Sequence, residues 1–154
     1  MRLDEEGIVR WGVRIGETVR TPVFLGLQGE LGAGKSVLAR AIGEGAGVSG
    51  HMPSPSFNLV FRYPARPDIE VVHMDLYRVA RPGDLAELGW SELGQPNEIV
   101  LVEWPERAGD LLPRDHWLIR LSVPPARPDL RDVSVSRVGA PPELAGFPMS
   151  VWGT

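Results

Sequence analysis

Apolar side chains in the first twenty residues fall at Ile8, Trp11, Ile15 and Val19, with Arg10, Arg14 and Glu17 between them. Offsets of three and four predict a short amphipathic helix whose apolar stripe packs on a sheet. Pro22 stops it, and Val23 to Leu27 is an unbroken apolar run of the kind buried on both faces of a sheet. Val37, Leu38, Ala41 and Ile42 supply a second helical face, which Gly43, Gly45 and Gly47 are expected to weaken. Residues 51–56 (HMPSPS) read as a stiff loop, because each proline fixes its own φ and biases its predecessor to extended geometry. Residues 57–63 read as a strand, 64–68 as a turn, and Ile69 to Met74 as a strand ending at Asp75. Leu85, Leu88 and Leu93 suggest a short helix, and Ile99 to Val102 is another apolar run, ending at Glu103. Trp117, Ile119, Leu121 and Val123 then alternate with polar neighbours, as do Val133 and Val135 with Ser134 and Ser136, which predicts an antiparallel edge hairpin.

Strands that alternate with helices early and pair as a hairpin late predict an α/β fold. The expectation is a single domain over residues 1–138, with a central, mostly parallel sheet and a C-terminal antiparallel hairpin. Residues 139–154, rich in proline and glycine, read as an extended tail.

Composition narrows the function classes. A chain of 154 residues, 43% hydrophobic and 23% charged, can bury a real core. Its net charge of -4 excludes binding to polyanions by long-range attraction alone. No cysteine is present, so disulfides and thiolate chemistry are excluded. The start lacks the pattern of a secretory signal and no window is long enough to cross a bilayer, so no membrane role and a cytoplasmic location are expected.

The sixteen basic side chains include a single lysine, Lys35, inside Gly29-Glu30-Leu31-Gly32-Ala33-Gly34-Lys35-Ser36. This stretch matches G-x-x-x-x-G-K-[ST] at every fixed position, with a strand predicted before it and a helix after it. Glycines let the backbone take conformations closed to other residues and let phosphate oxygens approach the amides. A helix starting near Lys35 aims its free N–H groups and the positive end of its dipole at the same anion. Lys35 would bridge the β- and γ-phosphates, and Ser36 would offer its hydroxyl to Mg²⁺. An ammonium on a thin stem fits within such a loop where a planar guanidinium does not, which explains the lone lysine. A glycine-rich turn without a ligand is the alternative, and the flanking elements argue against it.

A phosphate-bound Mg²⁺ calls for a carboxylate at the end of a neighbouring strand. Asp75 and Glu103 both qualify. Glu103, closing the run IVLVE, is the better Walker B match and is favoured for the metal; Asp75 would hold a metal-bound water or act as base on the attacking one. Ser54 and Ser56 stand where nucleotide proteins often keep a hydroxyl that senses the γ-phosphate. Trp104 would flank the site or simply pack. Arg78 and Arg107 read as solvated, with phosphate or a partner as the other use. His51, His73 and His116 share no ligand spacing and read as structural.

Four segments in this order, GELGAGKS, SPSFNLV at 54–60, HMDLYRV at 73–79 and VEWPERA at 102–108, resemble the TsaE (YjeE) family over about residues 23–123. The resemblance implies a P-loop NTPase fold and an ATPase of tRNA threonylcarbamoyladenosine synthesis. By the same resemblance it would act with TsaD and TsaB and touch tRNA at most indirectly; with the loop and acids present but no cis arginine finger evident, hydrolysis by the isolated chain is expected to be weak. The resemblance also implies ATP contacts from Gly29 to Ser36, Val37, Ser56 and Trp104, a catalytic set of Lys35, Asp75 and Glu103, and Mg²⁺ on Ser36 and Glu103. Ser36 and Ser56 replace the family's usual threonines, keeping the hydroxyl. The N-terminal helix and residues 124–154 match only loosely. A small nucleotide or metabolite kinase and a binding-only nucleotide switch are the alternatives; an N-K-x-D element is impossible because Lys35 is the only lysine.

Overall fold

The computed structural model describes residues 1–50, 52 and 60–146. Its centre is a seven-stranded sheet in the order β1-β7-β6-β2-β5-β4-β3. The strands are β1 (Arg2–Leu3), β2 (Val23–Gln28), β3 (Val60–Pro64), β4 (Glu70–Asp75), β5 (Glu98–Glu103), β6 (His116–Ser122) and β7 (Arg131–Val138). Neighbours β6, β2, β5 and β4 are mutually parallel, and β3 and β7 run against them. The expected mostly parallel sheet and C-terminal hairpin are both present. The hairpin does not form the edge, however: β6 pairs with β2 on one side, and β1 covers β7. β1 is only two residues long, too short to leave an alternating pattern in the sequence.

Helix α1 (Glu5–Thr18) starts at Asp4, whose carboxylate accepts from the Gly7 N–H at 2.8 Å. It buries Ile8, Trp11 and Ile15 on the sheet, each side chain contributing about 2 kcal/mol. Helix α2 (Lys35–Ala46) lies on the same face, beside α1. The opposite face is covered by 3-10 turns at Pro82–Leu88, Trp90–Glu92 and Pro105–Leu111, which close over Phe24, Met74, Val100 and Val102. The helix anticipated around Leu85 is therefore a 3-10 segment. Residues 140–145 lie against the domain: Trp117 donates to the Pro142 carbonyl at 2.8 Å and Trp11 to that of Ala145 at 3.0 Å. Among the described residues, no helix is long and apolar enough to cross a membrane.

The glycines expected to weaken α2 have a different use. Gly43 and Gly45 lie inside the helix, which ends at Gly47 in the left-handed conformation. A Cβ on Gly45 would run into the Val13 carbonyl, one on Gly16 into the Ile42 carbonyl, and one on Gly12 would stand 2.6 Å from the Ala41 Cβ. α1 and α2 therefore touch backbone to backbone along a glycine seam. Helix propensity alone would make Gly45→Ala stabilising by about 1 kcal/mol. With the added Cβ driven into the Val13 carbonyl, the overpacking cost falls at the upper end, about 3 kcal/mol, which reverses the sign and leaves a net loss of about 2 kcal/mol. Gly45→Ala should lower the thermal midpoint by roughly 5 °C. Gly83→Ala, which meets open space, should leave it unchanged. Equal midpoints for both variants would rule the seam out as a stabilising contact.

Candidate functional site

The glycine loop runs from the carboxyl end of β2 to the first turn of α2. Gly29, Gly32 and Gly34 have φ of 151°, 82° and 105°, a region closed in practice to side chains. Gly29 also has no room for a Cβ, because the Leu121 carbonyl of β6 stands 2.5 Å from where it would be. Gly34 is the N-cap of α2, so no side chain caps the helix, and no acidic residue sits in its first turn. Its leading N–H groups and the positive end of its dipole are left without a side-chain cap, a ready place for an anion.

Lys35, only 4% exposed, folds back over the loop. Its ammonium donates to the Gly29 carbonyl and, at 2.8 Å, to that of Glu30, and it stands 4.7 Å from the Trp104 ring centroid. Burial lowers the Lys35 pKa, while Glu103, Asp75, Glu106 and Glu30 oppose that shift.

The acids come from neighbouring parallel strands in register, Asp75 of β4 opposite Glu103 of β5. Ser36 Oγ lies 3.3 Å from both Glu103 carboxylate oxygens. A hydroxyl beside a carboxylate is a hard-oxygen donor pair, which suits Mg²⁺ with its remaining positions left to water and phosphate. The Asp75 carboxylate accepts the Tyr77 N–H at 2.9 Å. Its pKa is raised, first by burial and then by the Glu103 charge, against the lowering effects of the Tyr77 N–H, His73 and Lys35.

Trp104, directly after Glu103, has φ 59° and ψ 49°, a left-handed conformation rare for a bulky side chain and worth about 1–2 kcal/mol of strain. It is held by its N–H to the Leu27 carbonyl, at 3.2 Å, and by the Tyr77 ring, with centroids 4.9 Å apart. The kink turns the indole toward Lys35. A cavity of about 260 Å³ results, lined by Leu31, Gly32, Gly34 to Val37, Asp75, Glu103 and Trp104. A larger hollow, about 670 Å³, lies at the opposite end of the sheet among Pro22, Phe24 and Trp90. It lacks the loop and the paired acids, which both line the smaller one.

Of the site residues anticipated from sequence, the cavity brings together Lys35, Ser36, Val37, Asp75, Glu103 and Trp104 with Leu31, Gly32 and Gly34. Gly29, Glu30 and Ala33 frame the loop on its far side, along a second hollow of about 390 Å³. Ser54 and Ser56 lie outside the described residues. Two residues passed over in sequence belong to this site. Arg131 of β7 donates to the Ala33 carbonyl at 2.9 Å and to that of Gly32 at 3.4 Å, clasping the loop from outside. His73, fully buried, bonds Glu103 through Nε2 at 2.7 Å.

Residues 3–128 match the family model described as threonylcarbamoyl adenosine biosynthesis protein TsaE. The chain belongs to the TsaE family. The match includes α1, which the sequence resemblance reached only loosely. Curated TsaE proteins share 32% identity with the chain in Haemophilus influenzae, over 77% of each sequence. The Streptomyces coelicolor protein shares 33%, over 83% of this chain and 88% of its own. That of Mycobacterium tuberculosis shares 36%, over 75% and 73%. All three carry the name tRNA threonylcarbamoyladenosine biosynthesis protein TsaE. The crystal structure of YdiB from Bacillus subtilis superposes with a TM-score of 0.71, covering 91% of this chain and 84% of that one at 22% identity, and so shares its fold.

Proposed function

We propose that this chain is the ATP-binding and ATP-hydrolysing subunit of the cytoplasmic machinery that places threonylcarbamoyl on the adenosine beside the tRNA anticodon, working with TsaD and TsaB. The observation that carries this reading is the convergence of Lys35, Ser36, Asp75, Glu103 and Trp104 on one cavity at the uncapped start of α2, in a chain of the TsaE family.

The loop N–H groups cradle the β-phosphate, and Lys35 turns from the Gly29 and Glu30 carbonyls to the β- and γ-phosphate oxygens. Ser36 and Glu103 would hold Mg²⁺, which supplies charge neutralisation on the phosphates when bound. Asp75 orients the attacking water and takes its proton as the water oxygen bonds the γ-phosphorus and the bond to the β-phosphate oxygen breaks, leaving ADP and phosphate. Trp104 walls the site and limits access of bulk water. Membership of the TsaE family weighs against the kinase and binding-only alternatives.

Transition-state charge is commonly answered by an arginine. Among the described residues, Arg131 is engaged with loop carbonyls, Arg107 stacks 6.0 Å from the Tyr77 ring, and neither lines the cavity. The isolated chain should therefore hydrolyse ATP slowly, and adding TsaB and TsaD should raise phosphate release at least ~10-fold, and by as much as ~10³–10⁵-fold if the partner supplies an arginine. An equal rate in both conditions would remove the partner-gated part of the reading.

A further inference from the structure

We infer that His73 is a positioning residue for Glu103, and that it fixes the carboxylate in the orientation from which, with Ser36, it receives Mg²⁺. The inference rests on the metal reading of Glu103 above. β4 alternates, so His73 and Asp75 point to the same face, the one that carries α2; their register partners on β5 are Leu101 and Glu103. The imidazole is fully buried, and its Nε2 stands 2.7 Å from Glu103 Oε2. Glu103 is itself 3% exposed. His73 and Ser36 Oγ grip its carboxylate from two sides, as the Tyr77 N–H grips Asp75.

Core packing does not explain a histidine at this position. With the Nε2 proton given to Glu103, Nδ1 is buried with no hydrogen-bond partner among the described residues. An unmet polar atom in that layer costs stability that a leucine or methionine would not. A group that costs stability and, among the described residues, spends its one hydrogen bond on an acid of the site has its use in orienting that acid. Metal-binding carboxylates are commonly held this way, and loss of such a partner weakens metal binding about 10–100-fold.

The experiment is calorimetry of a non-hydrolysable ATP analogue binding to the full chain, with Mg²⁺ titrated from EDTA upward. His73→Met fills the space without a donor, and His73→Gln restores an N–H at the reach of Nε2. The Met variant should need roughly 10-fold more Mg²⁺ for its half-maximal effect. Its metal-free affinity for the analogue should match the parent's, and the Gln variant should return close to the parent. A His73→Met curve within twofold of the parent, while Glu103→Gln shifts it, overturns this inference alone. A Glu103→Gln curve that does not move overturns the metal reading and this inference with it. Should His73→Met fail to fold, His73→Gln and His73→Asn are compared instead. Only Gln reaches Glu103, so a shift confined to Asn supports the role and identical curves overturn it.

Discussion

Lys35→Ala is expected to weaken ATP binding about 10–100-fold, the equivalent of one or two charge-assisted hydrogen bonds, and to bring hydrolysis to background. The ammonium is the only lysine charge in the molecule, and it is already inside the loop, held by two backbone carbonyls. Phosphates take over those bonds at little cost in side-chain ordering, because the stem is fixed before the nucleotide arrives. Lys35→Arg should fail almost as badly, since the guanidinium has no space between the loop carbonyls and an indole 4.7 Å away. Calorimetry with ATP and a phosphate-release assay check both variants. An alanine variant with unchanged affinity would sink the phosphate-bridging role.

The second large effect belongs to Asp75→Asn. Asparagine still accepts the Tyr77 N–H, so the turn should hold and nucleotide affinity should change less than about threefold. Hydrolysis should fall by about 10²–10⁴, the usual loss for a missing general base. The pH profile gives an independent reading. Burial and the Glu103 charge raise the Asp75 pKa, so its protonated, inactive form persists to a higher pH than for an ordinary aspartate. The rate should therefore rise with pH along an acid limb displaced above the usual carboxylate range, and Asp75→Asn should flatten that limb. Single-turnover hydrolysis across pH separates this from binding. An unchanged limb in the variant would assign the titration to another group.

Much of this arrangement was legible in the chain because its signals are local. Strand, glycine loop and helix follow one another within residues 23–46, and the two acids each close a largely apolar run that can only be an interior strand. The proposal of Glu103 rather than Asp75 for the metal rests on Ser36, whose hydroxyl lies against Glu103. What stayed hidden depends on pairing between distant segments. Arg131 reaches Ala33 across 98 positions, and no spacing rule links β7 to the loop. His73 gave no ligand pattern because its partner is on the next strand, 30 residues away. The 3-10 turns leave no 3.6-residue periodicity, and the glycines of α2 mislead when propensity is weighed without knowing that α1 lies against them.

That glycine seam has a mechanical consequence. Side chains between two helices act as a compliant layer that lets one slide while the other stays; α1 and α2 have none at Gly12, Gly16 and Gly45. A displacement of α1 would therefore be passed to α2 with little slippage, and the phosphate loop stands at the start of α2. On the outer face of α1, where Arg10, Arg14 and Glu17 are exposed, a push would reach the loop through backbone contact rather than through yielding side chains.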